Sequence, residues 1–417
     1  MKVLWFTNTP ANGAEVLEGC GVYGGWLSAL DRALNGKIEL SVAFYFTRYA
    51  KSFIHKGVRY YPICKKNWKI DIIKKYLLNN LMEKEDLNLY IDIIKQVQPE
   101  IIHIHGTENP FCCIIDKVNI PIVLSHQGSY TVVNYKYFSG IEKEYASFSG
   151  RSLISPYSLI FNKSFFQLFK YSSTPKTKRE KRYLAKCKHI IGRTDWARRI
   201  TRILAPLSTY YHNDEILRDT FYNVEWRKKS NDVLIIHSTT GNGIFKGFET
   251  ICYSLSELNR IDRNVEWRIA GISQDSLIYK VVKKKLKDLF PKKGLYLLGV
   301  LNEQDLVKRM VEADIYVMPS HIEDSPNGLC EAMMLGMPVV STLAGGSSTL
   351  LKDKEEGIII QDGDPWSMSG AILELADNPE IAIKYGQNAR RKALERHNKE
   401  KIVSELIEIY KLIITQP

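Results

Sequence analysis

Two glutamates with seven residues between them, Glu323 and Glu331, stand in the run from Met318 to Pro338 (MPSHIEDSPNGLCEAMMLGMP). An apolar strand ends at Met318. A loop carries Glu323, Gly328 opens a helix with Glu331 in its first turn, and Gly336 stops that helix before Pro338 starts the next strand. Two carboxylates therefore flank one helix N-terminus, an arrangement that suits a nucleoside diphosphate sugar. Glu331 can accept hydrogen bonds from both ribose hydroxyls. The backbone N–H groups of Asn327, Gly328 and Leu329 can meet the diphosphate or the sugar hydroxyls. Glu323 can hold the sugar. Charged hydrogen bonds of this kind contribute about 1.5–3 kcal/mol each. A glutamate that merely complements a helix dipole would account for Glu331 but not for Glu323.

Other constellations are weaker. Gly19-Cys-Gly21-Val-Tyr-Gly24 fits G-x-G-x-x-G, but eleven residues separate it from the end of the first strand at Thr7, and no acid follows the second strand. NAD binding is therefore disfavoured. What remains is Gly24-Gly25 at a helix start, where free N–H groups can approach an anion closely. His103 and His105 share one face of a strand and could form half a metal site with His126 and Glu108. Without a clear third and fourth ligand, local hydrogen bonding is favoured. Asp362-Gly-Asp364-Pro could hold a divalent ion, but reads better as a turn followed by an N-cap with proline at the first helical position. No metal site is expected. The seven cysteines show no Cys-x-x-Cys spacing and read as buried small side chains in a reducing cytoplasm.

The elements that must position these residues alternate. In the first half, strands read at Val3–Thr7, Leu40–Phe46, Ile101–His105, Ile120–Ser125 and His189–Arg193. Helices fall at Gly24–Leu34 and Leu77–Gln98. In the second half, strands read at Val233–His237, Glu266–Ala270, Leu295–Val300, Ile315–Met318, Val339–Thr342 and Gly357–Ile360. Short apolar runs separated by helices are the mark of parallel β-α-β units. The segment Ile381–Ile414 reads as almost entirely helical. The expectation is two Rossmann-like, doubly wound α/β domains facing across a cleft, joined at the polar stretch Arg218–Asn231. Residues 1–217 would form an acceptor-side domain and 218–398 a nucleotide-sugar-binding domain. A last helix, 399–417, would pack back toward the first.

The chain has 417 residues, with 58 Lys+Arg against 46 Asp+Glu, a net charge of +12. Apolar residues make up 45%, which excludes a disordered or collagen-like chain. Residues 151–190 hold ten Lys/Arg and one acid, Glu180, and so nine of the twelve net positive charges. A local basic segment, with no nucleic-acid motif beside it, argues against nucleic acid. Tyr157, Phe161, Phe165 and Phe169 fall on one helical face. Segment 151–188 reads either as an amphipathic helix packed on its own domain or as a contact for an anionic membrane surface. No apolar run reaches the roughly 18–20 residues of a bilayer span, and the N-terminus reads as a buried strand, not a secretory signal. A cytoplasmic protein, or one peripheral on the inner face of the membrane, is expected.

The Glu-x7-Glu run resembles that of the retaining glycosyltransferases of the GT-B fold, group 1 or family 4, and the resemblance covers nearly the whole chain. Gly24-Gly25-Trp26 is similar to the family's glycine-rich first loop and Ser125-His126-Gln-Gly128 to its histidine loop. Lys246-Gly247 matches its Lys-Gly pair after the first strand of the second domain. Gly299-Val-Leu, Asp305-Leu and Ala313–Ser320 match the run leading into Glu-x7-Glu, and Gly345-Gly346 and Gly363-Asp364-Pro match later turns. Gly192–Trp196 and Tyr211–Arg218 resemble a subset that builds bacterial surface polysaccharides. The resemblance implies transfer of sugar from a UDP- or GDP-sugar, without a cofactor or metal, to a glycan or lipid-linked saccharide acceptor. It implies that Lys246 neutralises the departing diphosphate and that His126 contacts donor sugar or acceptor. Gly24 and Gly25 would let backbone approach the diphosphate or the acceptor. One departure stands out. The family's arginine five or six residues before the lysine is replaced by Thr240 or Gly241, and Arg193, at another strand end, is a candidate substitute. Two rival readings are a catalytically weak nucleotide-sugar-binding module and a metal hydrolase built on His103, His105 and His126.

Overall fold

The structure, a computed structural model, describes residues 1–17, 25–64, 83–142, 145, 165–229 and 232–415. They form two compact units, each built on one sheet. The first comprises residues 1–131, 170–216 and 397–417, and the second 132–169 and 217–396. The whole Gly19–Gly24 motif and residues 151–164 lie outside the described residues.

The first sheet contains β1 (Lys2–Thr7), β2 (Glu39–Phe46), β3 (Phe53–His55), β4 (Val58–Cys64), β5 (Ile101–His105), β6 (Ile122–Ser125), β7 (His189–Gly192) and β8 (Thr209–His212). Their order is β3-β4-β2-β1-β5-β6-β7-β8, parallel except for the β3 edge. The helices of this part of the chain are α1 (Gly25–Leu34), α2 (Glu83–Val97), α3 (Tyr130–Lys136), α4 (Phe165–Leu184) and α5 (Asp195–Leu204). Successive residues of β1 point to opposite faces, and both faces are covered. Val3 and Trp5 join one buried cluster, Leu4 and Phe6 another. Three strands escape the apolar-run reading. β3 and β4 form a hairpin whose turn needs positive φ at Lys56 and Gly57, and β8 is short and half exposed.

The second sheet contains β9 (Leu234–Thr239), β10 (Val265–Ala270), β11 (Leu295–Gly299), β12 (Ile315–Met318), β13 (Val339–Thr342) and β14 (Ile358–Ile360). Its order is β11-β10-β9-β12-β13-β14, all parallel. Its helices are α6 (Asp219–Asn223), α7 (Phe248–Arg260), α8 (Leu277–Leu286), α9 (Glu303–Glu312), α10 (Asn327–Leu335), α11 (Ser347–Leu350), α12 (Pro365–Asp377) and α13 (Pro379–Arg396). The fold is therefore doubly wound α/β in both halves, as the alternating pattern indicates.

The units differ in detail from the expected domains. The stretch Arg218–Asn231 is not a polar linker. Phe221 and Trp226 are buried in the second unit's core, and the Trp226 indole donates to the Ala313 carbonyl at 2.7 Å. Two widely spaced aromatics leave no periodic trace in a polar segment. Residues 132–142, expected in the first domain, cluster with the second unit. Ile141 is buried with Phe248 and Ile251, and Tyr137 lies 5.5 Å from Phe245. The helical segment to Ile414 breaks at His397 and Asn398, where Asn398 caps the Lys401 N–H at 3.0 Å. The last helix, α14 (Lys399–Thr415), lies in the first unit and sends Tyr410 to the Trp5 indole at 3.0 Å. Among the described residues no helix is long and apolar enough to cross a membrane. The cysteines Cys112, Cys113, Cys187, Cys252 and Cys330 are buried and form no disulfide among the described residues.

Candidate functional site

In a doubly wound sheet, ligands bind beyond the carboxyl ends of the strands where strand order reverses. In the second sheet that point lies between β9 and β12, whose registers meet at Ile315↔Ile236 and Tyr316↔His237. The loop after β9 carries Lys246, and the loop after β12 carries Glu323. The structure brings them together. The Lys246 Nζ lies 2.5 Å from the Glu323 Oε1, which also accepts from the Ser320 hydroxyl at 2.9 Å. Backbone bonds hold both loops, His321 N–H to the Phe245 carbonyl at 2.8 Å and Gly346 N–H to the Glu323 carbonyl at 2.9 Å. Gly247 follows the lysine in the left-handed region, φ 72°, and starts α7 with its Cα against the Pro319 carbonyl. A Cβ there meets both a strained backbone and that carbonyl. Gly247→Ala is expected to cost about 2 kcal/mol or more, read as a fall in the thermal midpoint.

The β12 loop ends at Pro326, and α10 begins at Asn327 without a side-chain cap. A helix start leaves its first N–H groups without intrahelical acceptors. The Leu329 N–H, expected to meet the ligand, donates instead to the Pro326 carbonyl at 3.0 Å. Asn327 and Gly328 keep theirs available. Gly328 must be glycine for packing reasons, because a Cβ would strike the Tyr316 hydroxyl beneath the helix. Burial pushes the Tyr316 phenol up, so it stays protonated.

Glu331, one turn into α10, is buried and already engaged. Arg218 meets its Oε1 through Nη2 at 2.7 Å and Nε at 2.9 Å. Burial pushes the Glu331 carboxyl up to about 7, Arg218 pulls it down, and Glu303 adds to the rise. Arg218 also stacks on Phe221 at 4.8 Å. Sequence reasoning placed Arg218 in a surface-polysaccharide motif and gave it no such partner.

His321, on the loop after β12, was also missed. Its Nε2 is 2.6 Å from Glu249 and its Nδ1 3.3 Å from Asp362. Burial pulls the imidazole pKa down, but Glu249 and Asp362 outweigh it and the net shift is upward. Asp362 is thus a partner of His321 and of Lys136, at 3.6 Å. Asp364 caps α12 through the Ser367 N–H at 2.9 Å, with Pro365 first in the helix. The pair serves as turn and cap. Thr240, where the family pattern has arginine, is buried beside the Lys246 carbonyl, its hydroxyl 3.5 Å away.

The remaining candidates lie in the first unit. His126 is buried just past β6, and its N–H donates to the Ile191 carbonyl at 2.8 Å. Gly25 is the first residue of α1. Arg193 follows β7, 3.4 Å from the Glu215 carboxylate and 4.1 Å above the Trp26 ring. His103 spends both ring nitrogens, on Tyr410 and on Ser125, at 2.6 Å each. His105 stacks on it at 3.8 Å. Burial, then Arg193, pulls the His103 imidazole down to about 3. Among the described residues His103, His105, His126 and Glu108 form no group of ligand atoms around one point.

Comparison with known proteins agrees with this layout. Residues 221–392 match the family model described as Glycosyl transferases group 1. Residues 221–392 are thus similar to the group 1 glycosyltransferases, and the fold is GT-B. Similar relatives include the Escherichia coli UDP-Gal:alpha-D-GlcNAc-diphosphoundecaprenol alpha-1,3-galactosyltransferase, 29% identical over 30% of this chain and 31% of the relative. The Escherichia coli O-antigen chain mannosyltransferase C is 28% identical over 28% of this chain and 32% of its own. An uncharacterised glycosyltransferase of Methanocaldococcus jannaschii is 26% identical over 31% of this chain and 34% of its own length. The matches thus span about a third of each relative. In three dimensions the chain resembles a sucrose-phosphate synthase of Thermosynechococcus elongatus over 100% of both chains, at TM-score 0.74 and 14% identity. It resembles Anabaena HepE in complex with UDP and glucose over 98% of both, at 0.65 and 12%.

Proposed function

We propose that the protein is a nucleotide-sugar-dependent glycosyltransferase that retains anomeric configuration and acts on a glycan or lipid-linked saccharide acceptor in surface polysaccharide synthesis. One observation carries this reading. The start of α10, a buried glutamate one turn into that helix and a Lys–Glu pair lie at one switch point of the second sheet. Relatives named for UDP-galactose and mannose transfer support it. Glu331 takes the ribose hydroxyls in exchange for part of its bond to Arg218. A diphosphate carries more charge than Glu323, so Lys246 passes to it and frees Glu323 for the sugar. Arg193 and the Gly24-Gly25 loop are proposed as further diphosphate contacts, and His126 as a sugar or acceptor contact. Metal-independent chemistry fits the arrangement, since Asp364 is a helix cap and His103 is fully hydrogen-bonded. With Lys246 as the fixed cation for the leaving group, attack on the same face within one donor–acceptor complex needs no dedicated nucleophile. The test is a calorimetric panel of UDP, GDP, ADP, dTDP and NAD. Binding of UDP or GDP is expected, and binding of NAD alone overturns the reading.

We also propose that segment 151–188 docks on an anionic membrane surface on the cytoplasmic side. Lys178, Lys181 and Arg182 are exposed along α4, while Ser173, Arg179 and Glu180 face inward. Vesicles containing phosphatidylglycerol should co-sediment the protein at low salt and release it at high salt. Absence of binding at low salt removes this part of the proposal.

A further inference from the structure

Helix α4 joins the basic segment to the loops at the carboxyl ends of β5 and β6 through two adjacent residues. Glu180 is 2% exposed, and each of its oxygens takes two donors. Oε1 accepts from the Thr107 hydroxyl at 2.5 Å and the Tyr130 N–H at 2.9 Å. Oε2 accepts from the Thr131 N–H at 2.6 Å and the Ser129 hydroxyl at 3.2 Å. Arg179, equally buried, donates to the Thr107 and Glu108 carbonyls at 3.1 and 2.7 Å.

The bonds fall where the chain most needs them. Helix α3, Tyr130–Lys136, has seven residues. So short a helix has little stability of its own, and its first-turn N–H groups need an external acceptor. The carboxylate that supplies one comes from Glu180, about fifty residues along the chain. The segment from His126 to Ser129 is consequently held at both ends. At one end the His126 N–H binds the Ile191 carbonyl, and at the other Ser129, Tyr130 and Thr131 bind Glu180. A buried carboxylate is tolerable only when its oxygens are filled, and four donors fill them. The same carboxylate carries the loop after β5 through Thr107, so the two loops move as one body.

We propose that Glu180 is the positioning residue for His126: its carboxylate joins the loops after β5 and β6 and fixes the place of the His126 imidazole. The inference rests on the reading of His126 as a ligand contact only for its functional meaning, and its physical content stands apart from that reading.

The experiment uses the full chain labelled with 13C at histidine Cε1, with the His126 resonance assigned by its loss in His126→Gln. Glu180→Ala should shift that resonance. It should also speed amide exchange at Tyr130 and Thr131 by on the order of 100-fold, leaving residues 327–335 unchanged. Glu180→Gln keeps one acceptor oxygen and should fall between wild type and Glu180→Ala; it carries the comparison if Glu180→Ala does not fold. Arg199→Ala, exposed on α5 of the same unit, should match wild type. UDP affinity, which the proposed reading assigns mainly to Lys246 and Glu331 of the second unit, should stay within about two-fold in the Glu180 variants. An unmoved His126 resonance with unchanged exchange in folded Glu180 variants overturns the proposal. So does a change spread evenly over the first unit, which would mark a general structural role. Absence of both UDP and GDP binding in the wild type would instead defeat the donor reading and leave the clamp standing.

Discussion

Replacing Glu331 by alanine should weaken UDP or GDP binding by about 2–4 kcal/mol, on the order of 30- to 1,000-fold. On the proposed reading the side chain accepts from two ribose hydroxyls, and among the described residues no second carboxylate is bonded to Arg218 in its place. Its protonation state adds a pH arm. Burial lifts the carboxyl from 4.5 to about 7 despite Arg218. The ionised form is the better acceptor, so nucleotide affinity should rise with pH through about 7 and flatten above it. Glu331→Gln should abolish that rise. Arg218→Met should move it to higher pH, since the lowering influence is removed. Stability runs the other way. The folded state binds more protons than the unfolded chain between 4.5 and about 7, so this group's contribution is present below 4.5 and is lost as pH rises through about 7. Calorimetry with UDP across that range reads the binding arm, and thermal melts separate lost affinity from lost fold. UDP affinity in Glu331→Ala equal to wild type would sink the ribose assignment.

Lys246→Ala should act on turnover. A fixed cation placed where charge develops on a leaving group typically contributes about 100- to 1,000-fold in rate. Before a ligand enters, that cation is held by Glu323 at 2.5 Å and by the ring of Phe245 at 5.1 Å. On the proposed reading that pairing keeps the cation in place for the leaving group, and its full effect is expected when the sugar–phosphate bond breaks. The expected result is a fall in kcat of that size with UDP affinity reduced by less than about ten-fold. Lys246→Arg should recover little, because a planar fork does not replace a point charge in the Glu323–Ser320 socket. Released nucleoside diphosphate at saturating donor measures kcat. Equal losses in turnover and in binding would mean that Lys246 only clamps the ground state. The absence of the family's arginine at Thr240 makes the prediction sharper, since no arginine stands at that place to share the load.

These two residues show where reading the chain stops. Glu323 and Glu331 were legible because both lie in one strand–loop–helix unit, whose geometry follows from local pattern alone. Lys246 was legible only through the resemblance of the Lys246-Gly247 pair to the family's, and the left-handed backbone of Gly247 against Pro319 gives the physical reason for that glycine. The partners were not legible. Arg218 meets Glu331 across 113 residues of sequence, and Lys246 meets Glu323 across 77. Glu249 and Asp362 reach His321 from helices and loops that no motif links. An ion pair between distant positions has no period and no spacing to detect, so only chain closure reveals it.

By itself the sequence determined the alternation of buried strands and helices, the two doubly wound halves, and the loop that carries Glu-x7-Glu. Each of these follows from short-range sterics and the burial of apolar runs. Tertiary structure alone decided that Phe221 and Trp226 belong to the second core and that residues 132–142 cluster with that unit. It also decided that Leu329 spends its N–H on Pro326, that His103 has no free ring nitrogen, and that Glu180 clamps the loop of His126. All of these depend on which polar groups find partners once distant segments are packed together, and hydrogen-bond partners are settled by that packing and not by neighbours in the chain.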